Sequence, residues 1–186
     1  MTDSASWEAA LLELFGGGWT FAAAGPRKND DWRRDVLSVM ALKVNDPRKW
    51  RSINLAPQGP GGEAGPDEPF LVDWSLDEFE SLLYTVGELS ASQLLIALQG
   101  EHYQACNIPD FENRRERLFA YSEEILSRFG PEATYYTNVA QARENPNADL
   151  LNPDSEWNCL SNFTTDCGVI VVSGSEVGVF WAFFED

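Results

Sequence analysis

Positive charge is what this chain of 186 residues most lacks: it carries 13 Lys+Arg against 30 Asp+Glu, a formal net charge of −17 at pH 7. Such a balance repels nucleic acid and anionic membrane surfaces and favours basic partners. Cysteine is scarce as well. Cys106, Cys159 and Cys167 are odd in number and show no CxxC spacing, which argues against a disulfide framework. The apolar runs Leu94–Leu98 and Val177–Phe184 are too short to span a bilayer. The start Met1-Thr2-Asp3-Ser4 has neither the basic residues nor the apolar stretch of a secretory signal. There is no P-loop, no GxGxxG and no HExxH, so no cofactor is implied. These absences lead us to expect a cytoplasmic protein with reduced thiols, and neither nucleic acid nor membrane as partner.

What is present is enough for a folded core: 44% hydrophobic and 12% aromatic residues, including seven tryptophans. The length suits one domain, 1–186. The end of the chain is its strongest structural signal. Gly168–Val172 and Val177–Phe184 flank Ser173-Gly174-Ser175-Glu176, which predicts a β-hairpin with Gly174 first in a type II′ turn. The register would set Val172 opposite Val177, Ile170 opposite Val179 and Gly168 opposite Trp181. In the second run Val177, Val179, Trp181 and Phe183 alternate with Phe180, Ala182 and Phe184, so both faces are apolar and the strand should be central and covered on both sides.

Upstream, Ser6 is expected to cap a first helix with Trp7, Leu11, Leu12 and Phe15 on one face, ended by Gly16-Gly17-Gly18. Trp19–Ala24 reads as a short strand, Val36–Val44 as another, and Trp50–Leu55 as its antiparallel neighbour. Residues 56–69 are rich in Pro and Gly and predict an exposed loop. Ser75-Leu76-Asp77-Glu78 is a capping-box pattern followed by Phe79, Leu82, Leu83 and Val86 at helical spacing. Ser90–Gln93 repeats the pattern before Leu94–Leu98, a run that suits helix or strand. Asp110 opens a helix over 111–129, stopped by Gly130-Pro131, and Ala133–Ala140 reads as a strand. The whole predicts an α+β fold, a mainly antiparallel sheet with the C-terminal hairpin at its centre and three or four helices packed on it.

Charge is segregated along the chain. Ser52 to Glu112 contains eleven acids and no Lys or Arg, and the residues after Arg143 contain eight acids and no base. Segments 27–51 are by contrast net positive. Two long base-free segments point to an acidic face that meets something basic; if they lie apart, their charges are merely solvated. Within the first, aromatics interleave with acids, which is how a charged-rim interface is built. The candidate partner-binding residues are Asp67, Glu68, Asp73, Trp74, Asp77, Glu78 and Glu80, with Trp74 as anchor.

Catalytic patterns are thin. His102 and Cys106 make H-x3-C, and Cys159 and Cys167 make C-x7-C, so a Cys3His zinc set is arithmetically available at spacings unlike the usual hooks. Cys106 is the one cysteine close enough in sequence to pair with His102 as a nucleophile. Gly174-Ser175-Glu176-Val177-Gly178 does not place serine at the centre of G-x-S-x-G.

The tail Trp157-Asn158-Cys159-Leu160-Ser161, Phe163-Thr164-Thr165-Asp166-Cys167-Gly168-Val169-Ile170-Val171-Val172, Gly178-Val179-Phe180-Trp181 and the acidic end Glu185-Asp186 resembles the C-terminal pattern of small bacterial toxin-immunity proteins. The resemblance covers about the last thirty residues, and Ala182-Phe183-Phe184 stands where a more acidic ending is expected. It implies a non-catalytic protein that neutralises a basic toxin, such as a nuclease, by stoichiometric complex formation. The alternatives are a DNA-mimicking anti-restriction or anti-defence protein, and a small enzyme using His102 with a cysteine or an acid.

Overall fold

A computed structural model describes residues 2–55 and 68–185. In chain order the elements are α1 (Ser4–Phe15), β1 (Thr20–Pro26), α2 (Trp32–Met40), β2 (Ile53–Asn54), α3 (Leu76–Ser81), β3 (Tyr84–Val86), α4 (Glu88–Ala97), α5 (Phe111–Ser127), β4 (Thr134–Thr137), α6 (Gln141–Glu144), β5 (Thr165–Val172) and β6 (Glu176–Phe184). Two short 3-10 turns, Glu101–Tyr103 and Ala105–Asn107, link α4 to α5. The strands form one antiparallel sheet in the order β2-β1-β6-β5-β4-β3. The fold is α+β, with the C-terminal hairpin as its two central strands.

The register of that hairpin is the expected one: Val172 faces Val177, Ile170 faces Val179, and Gly168 faces Trp181. Both faces of β6 are covered, because its two apolar sets enter two different cores. Phe180 and Ala182 pack with Trp7, Leu11 and Phe15 of α1, Leu94 of α4 and Ile125 of α5. Val177, Val179, Trp181 and Phe183 pack with Val36, Val39 and Met40 of α2 and Phe79 of α3. The turn differs from the type II′ expectation, since Gly174 does not have a positive φ. A side chain closes it instead: the Ser173 hydroxyl accepts from the Glu176 N–H at 3.0 Å, and the Ser173 carbonyl accepts from Arg27.

Residues 36–44 are the main correction. The expected strand is the end of α2, in which Val36, Val39 and Met40 are buried at i, i+3 and i+4, and the Asp31 carboxylate caps the helix by accepting from the Arg33 N–H. Its supposed neighbour, β2, pairs with β1 through Phe21–Asn54 and Ala22–Ile53. Smaller shifts occur at helix starts. Asp3, not Ser6, is the N-cap of α1, and Ser6 completes the reciprocal capping box three residues on; Leu12 is 44% exposed, off the buried face. The Ser75–Glu78 capping box forms, but α3 ends at Ser81 and Val86 lies in β3. Residues 94–97 are helical, in an α4 that begins at Glu88 behind Gly87. Asp110 precedes α5 in a left-handed conformation (φ 56°) without a side-chain cap bond. Of the expected loop 56–69, residues 56–67 lie outside the described residues. Among the described residues, no helix is long and apolar enough to cross a membrane.

Candidate partner-binding face

The expected acids on α3 and the segment before it are held as follows. Asp67 lies outside the described residues, Glu68 is half-buried, and Asp73, Asp77, Glu78 and Glu80 are exposed. Several are already engaged. Arg33 of α2 reaches Glu80 at 2.5 Å and Asp77 at 3.4 Å, and also forks onto Asp31. The Asp31 hydrogen bonds, with the charges of Asp31, Glu80 and Asp77 added, hold the Arg33 guanidinium above its ordinary value. Glu78 is used in the Ser75 cap, whose hydrogen bonds lower its carboxyl pKa. Trp74 is half-buried against the core that α2 and α3 share, and its indole N–H is buried without a hydrogen-bond partner among the described residues. Part of the basic segment 27–51 thus supplies an internal counter-charge to this patch.

A larger group of acids is assembled elsewhere, by contacts that spacing along the chain does not reveal. Residues 87–106 and 146–153, from the two base-free segments, are laced together by hydrogen bonds. The Gly87 N–H donates to the Pro146 carbonyl at 2.8 Å, and the Ala105 N–H to the Leu151 carbonyl at 2.8 Å. The Ser90 hydroxyl donates to the Ala148 carbonyl, and the Leu150 N–H to Gln93. Gln104 donates to the Pro153 carbonyl, and the Cys106 N–H to the Asn152 side chain. Each bond satisfies a backbone group of these two segments. Their joint effect is to bring the chain that carries Glu88 and Glu101 against the chain that carries Asp149 and Asp154, with Glu144 and Glu156 at its two ends; all six are exposed. Neither stretch contains a Lys or Arg, and Arg143, just before the second, is paired with Glu144 at 2.9 Å. Arg114 and Arg117 of α5 are drawn to Glu13, at 2.9 and 3.5 Å.

Three further carboxylates are structural, in two clusters. Asp166 is fully buried and accepts from the Leu160 and Ser161 N–H groups, the Ser161 hydroxyl and the Trp181 indole N–H. Burial pushes its carboxyl above the ordinary value, against the pull of those hydrogen bonds. Asp46 and Glu176 hold Arg128, whose side chain is fully buried: it forks onto Asp46 at 2.7 and 2.8 Å and meets Glu176 at 2.9 Å. Its guanidinium lies 4.5 Å from the Trp7 ring and 5.0 Å from the Trp50 ring. Neither cluster was visible in the sequence: Arg128 lies 82 and 48 positions from Asp46 and Glu176, and the partners of Asp166, though only 5 to 15 positions away, follow no recognisable motif.

The residues considered for catalysis are dispersed. His102 is 58% exposed, its ring 5.0 Å from Phe184 and its Nε2 3.6 Å from Glu101. Cys106 is exposed with its thiol toward Asn107, Cys159 is half-buried, and Cys167 is buried. Among the described residues, no group of three or more His, Cys, Asp or Glu is arranged to hold a metal ion. Comparison with protein-family models, curated proteins and solved structures returned no match.

Proposed function

We propose that this protein is a stoichiometric inhibitor of a basic protein, an immunity protein for a cognate toxin such as a nuclease. The observation that supports it best is the convergence of the two base-free segments, which groups Glu88, Glu101, Glu144, Asp149, Asp154 and Glu156 with little counter-charge. Uncompensated like charge opposes compaction. A basic partner relieves that repulsion, and charge complementarity speeds its encounter. The patch at Asp73, Asp77 and Glu80 is a secondary contact in this reading, because Arg33 already engages two of its acids.

The test is capture of a partner from a lysate of the source cells on the immobilised full chain at low salt, with elution by a salt gradient. The expected result is one basic protein in stoichiometric amount, whose toxic or nucleolytic activity falls when this chain is added back. The double variant Glu101→Lys/Asp154→Lys should weaken that complex by about tenfold or more, and far less at high salt. A captured protein whose activity is unaffected, or no stoichiometric partner, sinks the proposal. A captured restriction or modification enzyme would move it to DNA mimicry.

A further inference from the structure

At one border of the acidic face, the end of β6, the loop after α1 and the turn after α4 enclose a cup of about 260 Å³. Trp19, Phe184 and His102 are among its walls. Trp19 is 41% exposed although large and apolar. It is backed by Phe163, with ring centres 6.1 Å apart. Gly17 and Gly18 precede it with open space where side chains would stand. Phe184 is half-buried beneath the His102 ring. Charge at the lip is of one sign. Glu101 is 70% exposed and, among the described residues, pairs with no Lys or Arg; its Oε1 lies 3.6 Å from the His102 ring, and Glu185 follows Phe184. Glu13 also lines the cup, but Arg114 takes it at 2.9 Å. The side-chain nitrogen of Gln99, also lining the cup, is buried without a hydrogen-bond partner among the described residues.

We propose that this cup receives an arginine side chain of the basic partner, an inference that rests on the inhibitor reading and adds the chemistry of its anchor. The volume lies below the roughly 300–1,000 Å³ of small-molecule sites and suits one long side chain. Aromatic walls attract a cation through their ring faces, and a carboxylate at the mouth excludes acidic groups. A planar guanidinium both stacks on such walls and forks onto Glu101, which the compact ammonium of lysine does less well. Arginine has no acceptor, so the orphaned Gln99 donor is left for a backbone carbonyl of the same partner segment. A buried arginine in a pocket is the kind of residue that carries most of an interface's affinity.

The experiment is a titration of the ¹⁵N-labelled full chain with N-acetyl-arginine-N-methylamide, followed by NMR. The Trp19 indole and Gln99 side-chain signals should move together and saturate. The uncharged citrulline analogue should move them about threefold less or weaker at equal concentration, and Glu101→Gln, an exposed change that spares the fold, should weaken arginine about two- to fivefold. Trp19→Ala should weaken it more. Equal responses to citrulline, or shifts scattered over the acidic surface without these two signals, overturn the cup. If they do so while a basic partner is still captured and released by salt, the inhibitor reading stands without it. Arginine binding in the cup with no partner captured supports the cup as an arginine site and removes the inhibitor reading.

Discussion

Asp166 shows at the scale of one residue how this fold uses acidity internally. Its carboxylate gathers the N–H groups of Leu160 and Ser161 and the Trp181 indole, so it orders the approach to β5 and fixes the ring of the central strand. Asp166→Ala strands those donors in a buried site and should cost about 3–5 kcal/mol, measurable by denaturant unfolding. The pH dependence follows from the direction of its shift. The folded chain holds the Asp166 proton more tightly than the unfolded chain, whose value is near 3.8. Its protonation therefore favours folding at low pH, and that contribution is lost as the pH rises through the raised value. The Asp166 carboxyl signal should titrate above 3.8 in NMR; a midpoint below that value would contradict the desolvated environment. Arg128 is the opposite case, a buried cation with a full set of partners. Arg128→Met leaves Asp46 and Glu176 buried, with Arg48, at 2.9 Å from Glu176, as the one Lys or Arg still paired to either among the described residues. Loss of about 3–5 kcal/mol is expected, because the remaining charges stay desolvated.

At the scale of elements, the central hairpin depends on a missing side chain. Gly168 faces Trp181, and a Cβ there would lie 2.2 Å from the indole ring and from the Phe180 carbonyl. The glycine lets the ring cross the strand and reach Asp166 at 2.9 Å. Gly168→Ala should destabilise by about 3 kcal/mol through overpacking, with a lower melting temperature and altered tryptophan fluorescence; an unchanged melting curve would show that the ring has room to move. The hairpin register was legible because alternation with period two and a short polar turn leave one pairing that buries both apolar sets. Its turn type was not, since Ser173 supplies by side chain and carbonyl what a type II′ glycine would supply by conformation. Residues 36–44 show the limit of propensity. The valines Val36, Val39 and Val44 favour a strand read in isolation, yet the Asp31 cap and the burial of Val36, Val39 and Met40 against β6 select a helix. The Ser75–Glu78 box was readable because its partners are three residues apart. The end of α3 at Ser81 was not, because pairing of Tyr84–Val86 with β4 decides it.

Over the whole molecule the net charge of −17 is a standing repulsion. Raising sodium chloride from about 10 mM to about 0.3 M should raise the melting temperature by a few degrees, as screening shortens the reach of that repulsion. A flat response would mean that the acids are already balanced by their internal partners. Charge segregation was visible in the sequence, but its spatial outcome was split. The α3 patch acquired Arg33, whereas the base-free stretches around 88–106 and 144–156 came together with Arg143, at the edge of the second, paired to Glu144. The cup at Trp19 had one readable trace, the tryptophan after Gly16-Gly17-Gly18. Beyond its neighbours Glu13 to Thr20, the walls come from residues about eighty and more positions away.

By itself the sequence determined what depends on short-range periodicity and total composition: an α+β fold, a covered central hairpin in a defined register, the Ser75 cap and a strongly acidic chain. Only the tertiary structure decided which acids are spent internally and which share a surface, where the buried ion cluster of Arg128 lies, and that 36–40 is helical. The physical reason is range. Capping and alternation act between residues a few positions apart, whereas desolvation, ion pairing and strand pairing act between groups that only the folded chain brings within contact.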